Sequence, residues 1–529
     1  MDESNEGSRS PLASKGTTLI QSITPGPFLL IFGGLALLTS PSAAEDVFLT
    51  IGGGYAPTGN QISLEKNVQL FSTFLEETYP DPPEHYIYFS DGKGDTRDLQ
   101  FVPPDFPRVN ELLALINNQS SNLKYQYRNH ELQNVRGGSN KQQLDDWFQK
   151  EGSGLSAGDR LVIYVTAHGG KSTDKDAKEN SRLHLWKGQT IDVKQFREWL
   201  ERIDPEVPVI VVMVQCYSGG FSNMIFETGD SSQGQSNRPW CGFYATVPDR
   251  VAAGCTPDTR EENYHEYTTY LMEALRGKTR LGQPVEQPDF DGNGMITLDE
   301  AHAYVLIHSR TIDISMKTSD QYLRKIEIAD LNDGNHLEEN SDFDALLERA
   351  TLNQATVLKA LSDELGLQGN RRAAAARELG KRMESQKKAA EQQRRQLVKD
   401  LQQAARSLRG SISLRWPELT NAWNPAAQSL IREEGELILQ AIEGHGSFGR
   451  FMELRQKMAQ VKAEAMNADR RWVKCQRLIR TLESVALAGN LQDAGSLEQQ
   501  ETYQRLVELE SSMLGDSFVR SPGDVSGQP

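Results

Sequence analysis

The sequence is short of cysteine, of long apolar runs and of positive charge, and each shortage removes a class of protein. Four cysteines in 529 residues cannot staple a fold, so a disulfide-built miniature scaffold is excluded. The apolar run at residues 28–38 falls well short of the roughly 18 residues a bilayer-spanning helix needs, which excludes a multi-pass membrane protein. A net charge of −16 leaves no general basic footprint for nucleic acid. The 37% hydrophobic content suffices for a real core, and the length suggests roughly two to four domains.

Charge is divided unevenly. Residues 341–529 carry 27 Lys+Arg and 25 Asp+Glu, a net of +2, whereas the first 340 residues carry a net of −18. The chain therefore reads as two different objects in series: an α/β part over 45–335 and a helical part over 340–514. At the front, Phe28 to Leu38 followed by Ser42-x-Ala44 predicts a signal peptide over residues 1–44, cleaved or kept as an anchor, and an exported (periplasmic, secreted or lumenal) chain. Its leading segment departs from the usual basic one, with Asp2, Glu3 and Glu6 against Arg9 and Lys15. Residues 515–529 read as a frayed tail.

From Val47 onward, short apolar runs alternate with helical spacing. Strands are expected at 47–51, 86–89, 161–165, 209–214 and 242–247. Helices are expected at 63–79, 109–116, 142–148, 196–203 and 267–275. Nearly continuous apolar strands separated by helices predict a parallel sheet covered on both faces. Ligands of such sheets bind beyond the carboxyl ends of the strands.

Two such ends carry chemistry. The third strand runs out into Thr166-Ala167-His168-Gly169-Gly170 and the fourth into Gln215-Cys216-Tyr217-Ser218-Gly219-Gly220. A thiolate is a strong nucleophile, and a neighbouring imidazole can take its proton and return it to a leaving amine. The backbone N–H groups of Gly169 and Cys216 could hold an oxyanion. Taken singly, such a cysteine is more often a small buried hydrophobe and such a histidine a hydrogen-bonded structural residue. The signal lies in the pair.

His168-Gly169, with Cys216 at the end of an apolar strand 48 residues later, resembles the cysteine peptidase clan of caspases, gingipains and legumains, the legumain-like branch above all. Phe243-Tyr244-Ala245-Thr246, Pro248, Arg250 and Ala253-Gly254-Cys255 are similar to that family's fifth strand and following loop. Residues 298–322, ending Ser319-Asp320-Gln321-Tyr322, are similar to its last helix and strand. The likeness covers roughly residues 47–325. It implies a caspase-like three-layer α/β sandwich with a mostly parallel sheet, followed here by an all-α, helical or coiled-coil extension. It implies cysteine endopeptidase activity on protein or peptide substrates, with Cys216 as nucleophile and His168 as general acid/base. A transamidase and a non-catalytic scaffold are the alternatives. The chain departs from the family pattern in three places. Val214 stands where the family has an acidic residue, Gln215 replaces a small one, and Gly59-Asn60-Gln61 stands where an S1-shaping arginine is expected. Glu261, Glu262 and Glu266 offer an acidic pocket for a basic P1 residue, or a solvated helix start.

Asp289-Phe290-Asp291-Gly292-Asn293-Gly294-Met295-Ile296-Thr297-Leu298-Asp299-Glu300 fits a twelve-residue EF-hand loop. Asp289, Asp291, Asn293, the Met295 carbonyl, Thr297 and Glu300 fall at the ligand positions. The prolines ahead of it replace an entering helix, so a single structural Ca2+ is expected and no organic cofactor. Cys241 and Cys255 bracket the fifth strand and are a possible disulfide, with burial of Cys255 the alternative. Cys475 lacks a partner, and His184, His265, His302 and His308 show no zinc-ligand spacing.

Beyond Phe343 the β pattern disappears. Residues 371–410 hold 12 basic and 4 acidic residues. Amphipathic helices are expected at 373–408, 451–487 and 497–514. They would serve self-association, intramolecular docking that regulates the acidic half, or binding to an anionic surface.

Overall fold

The computed structural model describes residues 45–118, 124–328, 336–421 and 424–515. The expected signal peptide, and the tail beyond residue 515, lie outside them.

Eleven strands are described: β1 Asp46–Gly53, β2 Glu84–Phe89, β3 Leu99–Phe101, β4 Gln126–Arg128, β5 Val135–Gly137, β6 Arg160–Gly170, β7 Arg182–Leu185, β8 Gln189–Asp192, β9 Val209–Met213, β10 Trp240–Tyr244 and β11 Met316–Lys317. The main sheet runs β11-β10-β9-β6-β1-β2-β5, with β7 and β8 attached to β6. All its central pairings are parallel, and β11 closes one edge antiparallel to β10. The chain is thus α/β with a mostly parallel sheet and a long helical C-terminal region.

The period of two along each strand splits the core into two layers. Val47, Leu49, Ile51, Leu161, Ile163, Val165, Val209, Val211 and Met213 face one side. Phe48, Val162, Tyr164, Ile210 and Val212 face the other. The second layer is covered by α1 (Ile62–Thr78), α5 (Tyr267–Arg276) and α6 (Leu298–His308). The first is covered by α3 (Lys141–Lys150), α4 (Val193–Leu200) and α7 (Thr318–Lys325). Between β3 and β4 lies α2 (Arg108–Asn117). Each buried Leu, Val or Phe is worth about 1.5–3 kcal/mol, so both layers are needed to hold the sheet.

Sequence chemistry sets the helix limits. Asp192 caps α4 through a capping box with Gln195, Thr297 does the same for α6 with Glu300, and Gly277 ends α5 in the left-handed region.

The C-terminal helices are α8 (Phe343–Arg349), α9 (Leu352–Leu365), α10 (Arg372–Arg415), α11 (Pro425–Glu443), α12 (Phe448–Ala494) and α13 (Leu497–Glu510). The long pair α10 and α12 runs as a hairpin, and its far end packs with α11 on Val109, Leu112, Leu113 and Ile116 of α2. Its near end enters the first layer through Val473 and Leu491, joined by Leu506 of α13. Leu514 reaches the second layer.

Candidate active site

The register of the sheet decides at what level the two candidate residues leave their strands. Val165 of β6 is level with Met213 of β9, and the N–H of Val214 donates to the Val165 carbonyl at 3.0 Å. His168 and Cys216 each lie three residues beyond that pair, at the carboxyl ends of adjacent parallel strands. The two backbones touch: a β-carbon on Gly169 would collide with the Cys216 carbonyl oxygen. Only glycine permits that approach.

The apolar run predicts a strand over 161–165, yet β6 continues to Gly170, because β7 folds back antiparallel on it with His168 opposite His184. The histidine therefore sits on a rigid strand extension instead of a free loop. Its Nε2 donates to the Gly59 carbonyl at 2.7 Å and lies 3.1 Å from Gln61 Oε1. Both partners accept, so Nε2 carries the proton and Nδ1 keeps the lone pair. The Tyr55 ring meets His168 edge-on at 5.3 Å and His184 at a tilt at 5.9 Å. Burial lowers the His168 pKa below 6.5, partly offset by the Gly59 carbonyl.

The turn supplying that carbonyl is tightly built. The N–H of Gly54 donates to Asn60 Oδ1 at 3.0 Å, Asn60 Nδ2 donates to Asp98 at 3.2 Å, and a β-carbon on Gly54 would strike the Gly59 oxygen. In the sequence, Gly59, Asn60 and Gln61 stand out only as the place of a missing arginine. Their bearing on His168 acts mainly through a main-chain oxygen, which leaves no trace in residue type.

Cys216 is half-buried. Its sulfur accepts from the Ala252 N–H at 3.3 Å and lies 3.8 Å from the Ala252 carbonyl. Burial raises its pKa above 9, and the Ala252 backbone moderates the rise. Tyr217 follows in the left-handed region at φ 60°, held by its N–H to the Arg250 carbonyl at 2.9 Å. A non-glycine residue there is strained, as sharp turns at functional sites often are. With the thiol pushed above 9 and the imidazole held below 6.5, both groups rest uncharged near neutral pH.

The loop under Cys216 rests on Asp313, which is 1% exposed. Its Oδ1 accepts from the Ala253 N–H at 2.6 Å, and burial raises its pKa to about 6.

The possible disulfide does not form, and of the two readings of the glutamates the acidic pocket is not the one observed. Cys241 and Cys255 are free thiols; Cys241 is sealed in β10 among the second core layer, and Cys255 packs beside the cluster of Ile62 and Leu64. The glutamates form no open acidic pocket. Glu266 is buried and bonded to Arg280 at 3.3 Å, and Glu261 pairs with Lys66 and Arg280. Burial raises the Glu266 pKa to about 7 against the pull of Arg280.

The 289–300 loop leads into α6. Asp289, Asp291 and Glu300 present carboxylate oxygens within 4.8 Å of one another. The loop's own amides pre-shape it: Gly294 N–H to Asp289 Oδ2 at 3.0 Å, Asn293 N–H to Asp291 Oδ1 at 3.0 Å and Met295 N–H to Asn293 Oδ1 at 2.8 Å. Glu300 accepts from Phe290 and Thr297. Asp289 Oδ1 is buried without a partner, and Ile296 anchors the loop in the core. Among the described residues no helix enters the loop, and the donor set fits a hard, oxygen-seeking cation.

No protein-family model matches the chain, and no curated protein matches it. Among solved structures, the crystal structure of protein GSU0716 from Geobacter sulfurreducens aligns with 50% of this chain and 88% of its own length, at 11% identity and a TM-score of 0.28.

Proposed function

We propose that the chain is a cysteine endopeptidase of the caspase and legumain kind, cleaving peptide bonds through Cys216 and His168. One observation carries the reading: adjacent parallel strands, in register, run out into an imidazole and a thiol at the same edge of the sheet, with the imidazole Nε2 anchored on Gly59 and Nδ1 left to act. Substrate binding excludes water and lets Nδ1 draw the thiol proton as sulfur attacks the carbonyl carbon. The tetrahedral oxyanion is met by backbone N–H groups at Gly169 and Cys216. Collapse returns the proton from His168 to the leaving amine and leaves an acyl-enzyme, which water hydrolyses with His168 as base.

The 289–300 loop would hold Ca2+ through Asp289, Asp291, Asn293, the Met295 carbonyl, Thr297 and Glu300. Its place at the start of α6 makes it a brace for the second core layer, not a participant in the chemistry.

The test is cleavage of a P1-randomised peptide library by the full-length protein and by its Cys216→Ala and His168→Ala variants. The expected result is hydrolysis by the first alone. Amide exchange with an added amine would assign the acyl-enzyme to a transamidase. Absence of both turnover and His168-dependent alkylation of Cys216 would leave a non-catalytic scaffold.

A further inference from the structure

The pitch of α10 gathers its basic residues on one side. At about 100° per residue, positions seven, eleven or eighteen apart return to within about 20° of one direction, and Lys381, Lys388, Arg395, Lys399 and Arg406 keep that spacing. They form a straight basic stripe about 38 Å long, at about 1.5 Å per residue. All five are exposed. The opposite side of the helix carries Leu379, Met383, Ala390, Leu397, Leu408 and Ile412, buried against α12 and its neighbours.

These charges are not neutralised within the chain. Lys381 reaches Glu378 at 2.9 Å and Lys388 reaches Glu384 at 3.0 Å, but each lysine side chain is 72% exposed, and such pairs contribute little. Among the described residues no ion pair includes Arg395, Lys399 or Arg406. Arg395 and Lys399 stand four residues apart, a like-charge spacing that weakens a helix. Glu391 and Asp400, half-buried, lie to the sides of the stripe. The expected docking of this helix on the acidic part of the chain therefore does not use this face.

We infer that this face of α10 docks on an anionic lipid bilayer, with the stripe along the headgroups and Leu414 reaching past them. Leu414, in the last turn of the same helix, is 89% exposed, more than any other large hydrophobic side chain among the described residues. It stands eight residues beyond Arg406, about 80° round from the stripe. A purely ionic partner gains nothing from a leucine left in water, whereas a membrane interface takes both the basic charges and the apolar side chain. The outer side of a single helix is convex and offers no groove for a peptide. Residues 372–415 contain no Phe, Tyr or Trp on which nucleobases could stack. Screening confines the attraction to about 8 Å, so the local stripe decides it and not the net charge of −16. The surface does not depend on the peptidase reading.

Co-sedimentation with vesicles tests it, using full-length protein in EDTA at low salt. One vesicle is phosphatidylcholine with one-third phosphatidylglycerol, the other phosphatidylcholine alone. Affinity for the anionic vesicle is expected to be at least tenfold higher and to be lost at high salt. Any contribution from the apolar run at 28–38 is common to both vesicles, so their difference isolates the stripe. Combining Arg395→Gln, Lys399→Gln and Arg406→Gln should weaken anionic-vesicle binding at least tenfold, and Leu414→Gln severalfold. All four positions are exposed and glutamine suits a helix; circular dichroism melting checks that each variant folds. Equal binding to the two vesicles, or unchanged anionic-vesicle binding in either folded variant, would overturn the assignment. Stripe-dependent retention of duplex DNA without vesicle binding would overturn it in favour of a polynucleotide.

Discussion

Arg477 grips the main chain at Asp313: its Nε and Nη2 donate to the Asp313 carbonyl at 2.9 and 2.7 Å. Its Nη1 donates to the carbonyls of Leu306 and Ser309 at 3.1 and 3.0 Å. The guanidinium, 1% exposed, thus fixes from α12 the segment whose Asp313 carboxylate holds Ala253, one residue from the amide that meets the Cys216 sulfur. Arg250 adds a second tie, to Asp469 at 3.0 Å and over the Trp472 ring at 4.9 Å.

Arg477→Met should therefore destabilise the α/β part itself. It leaves three buried carbonyls short of a donor, and breaking such a buried charged contact costs about 3–5 kcal/mol. Arg477→Lys keeps the charge but not the planar fork, and should lie between. Denaturant midpoints of the three proteins check the order.

A chain ending at residue 335 should fail to fold. If the helices were a removable cover, cutting them off would raise activity. Here the cut also removes Val473, Leu491, Leu506 and Leu514 from the sheet's own core. It further strips Glu510, fully buried, from Lys317 at 3.0 Å and from Ser319 at 2.6–2.7 Å. The expected outcome is an insoluble or non-cooperatively melting fragment, read by circular dichroism.

Alkylation of Cys216 should be slow at neutral pH and steeply pH-dependent. Burial holds the thiol above its usual 9, so the reactive thiolate fraction should rise about tenfold per pH unit between pH 6 and 9. A resting thiolate–imidazolium pair would give a flat, fast profile instead. Iodoacetamide labelling followed by mass spectrometry distinguishes the two.

Much of this site is legible in the sequence because strand ends are. Apolar runs with glycines behind them mark β6 and β9, and a doubly covered parallel sheet puts their carboxyl ends side by side. What escapes is carried by contacts without residue signature. The β7–β8 hairpin that extends β6 past His168 is four polar-apolar residues a side. Strand β11 has two residues and is made by pairing alone. The charge shift near residue 340 suggests a separate object, but a charge count cannot report that Arg477 and Glu510 are buried in the neighbouring core. The Cys241–Cys255 expectation fails for a related reason: spacing allows a bridge, while strand alternation turns Cys241 into the second core layer.

Chelation should lower thermal stability through the 289–300 loop. A site saturated a hundredfold above its dissociation constant adds about 2.7 kcal/mol, so EDTA should reduce the melting temperature by several degrees. Glu300→Gln preserves the capping-box geometry with Thr297 but removes a charge from the ligand set. It should remove this loop's share of the calcium-dependent shift; a Glu300→Gln protein that still gains the full shift from Ca2+ would rule this loop out as the source.

Acid sensitivity should trace in part to His302. Burial lowers its pKa from 6.5 to about 4, and its Nδ1 meets the Tyr267 hydroxyl at 2.8 Å. The folded protein keeps this ring neutral while the unfolded chain protonates it below about pH 6.5, so its contribution to stability is full above that value and lost as pH falls toward 4. Between pH 7.5 and 5 the loss is about 2 kcal/mol at 1.36 kcal/mol per unit. Asp98, Asp313 and Glu266, whose pKa values burial raises to about 6, 6 and 7, act in the opposite direction, gaining stability as pH falls through the same window. The whole-protein curve therefore hides the histidine, and the difference between wild type and His302→Gln isolates it. Glutamine keeps an acceptor for Tyr267 but does not titrate, so the variant should lose about 2 kcal/mol less than wild type between the two pH values, read from urea midpoints. Equal losses would mean that His302 does not titrate on unfolding.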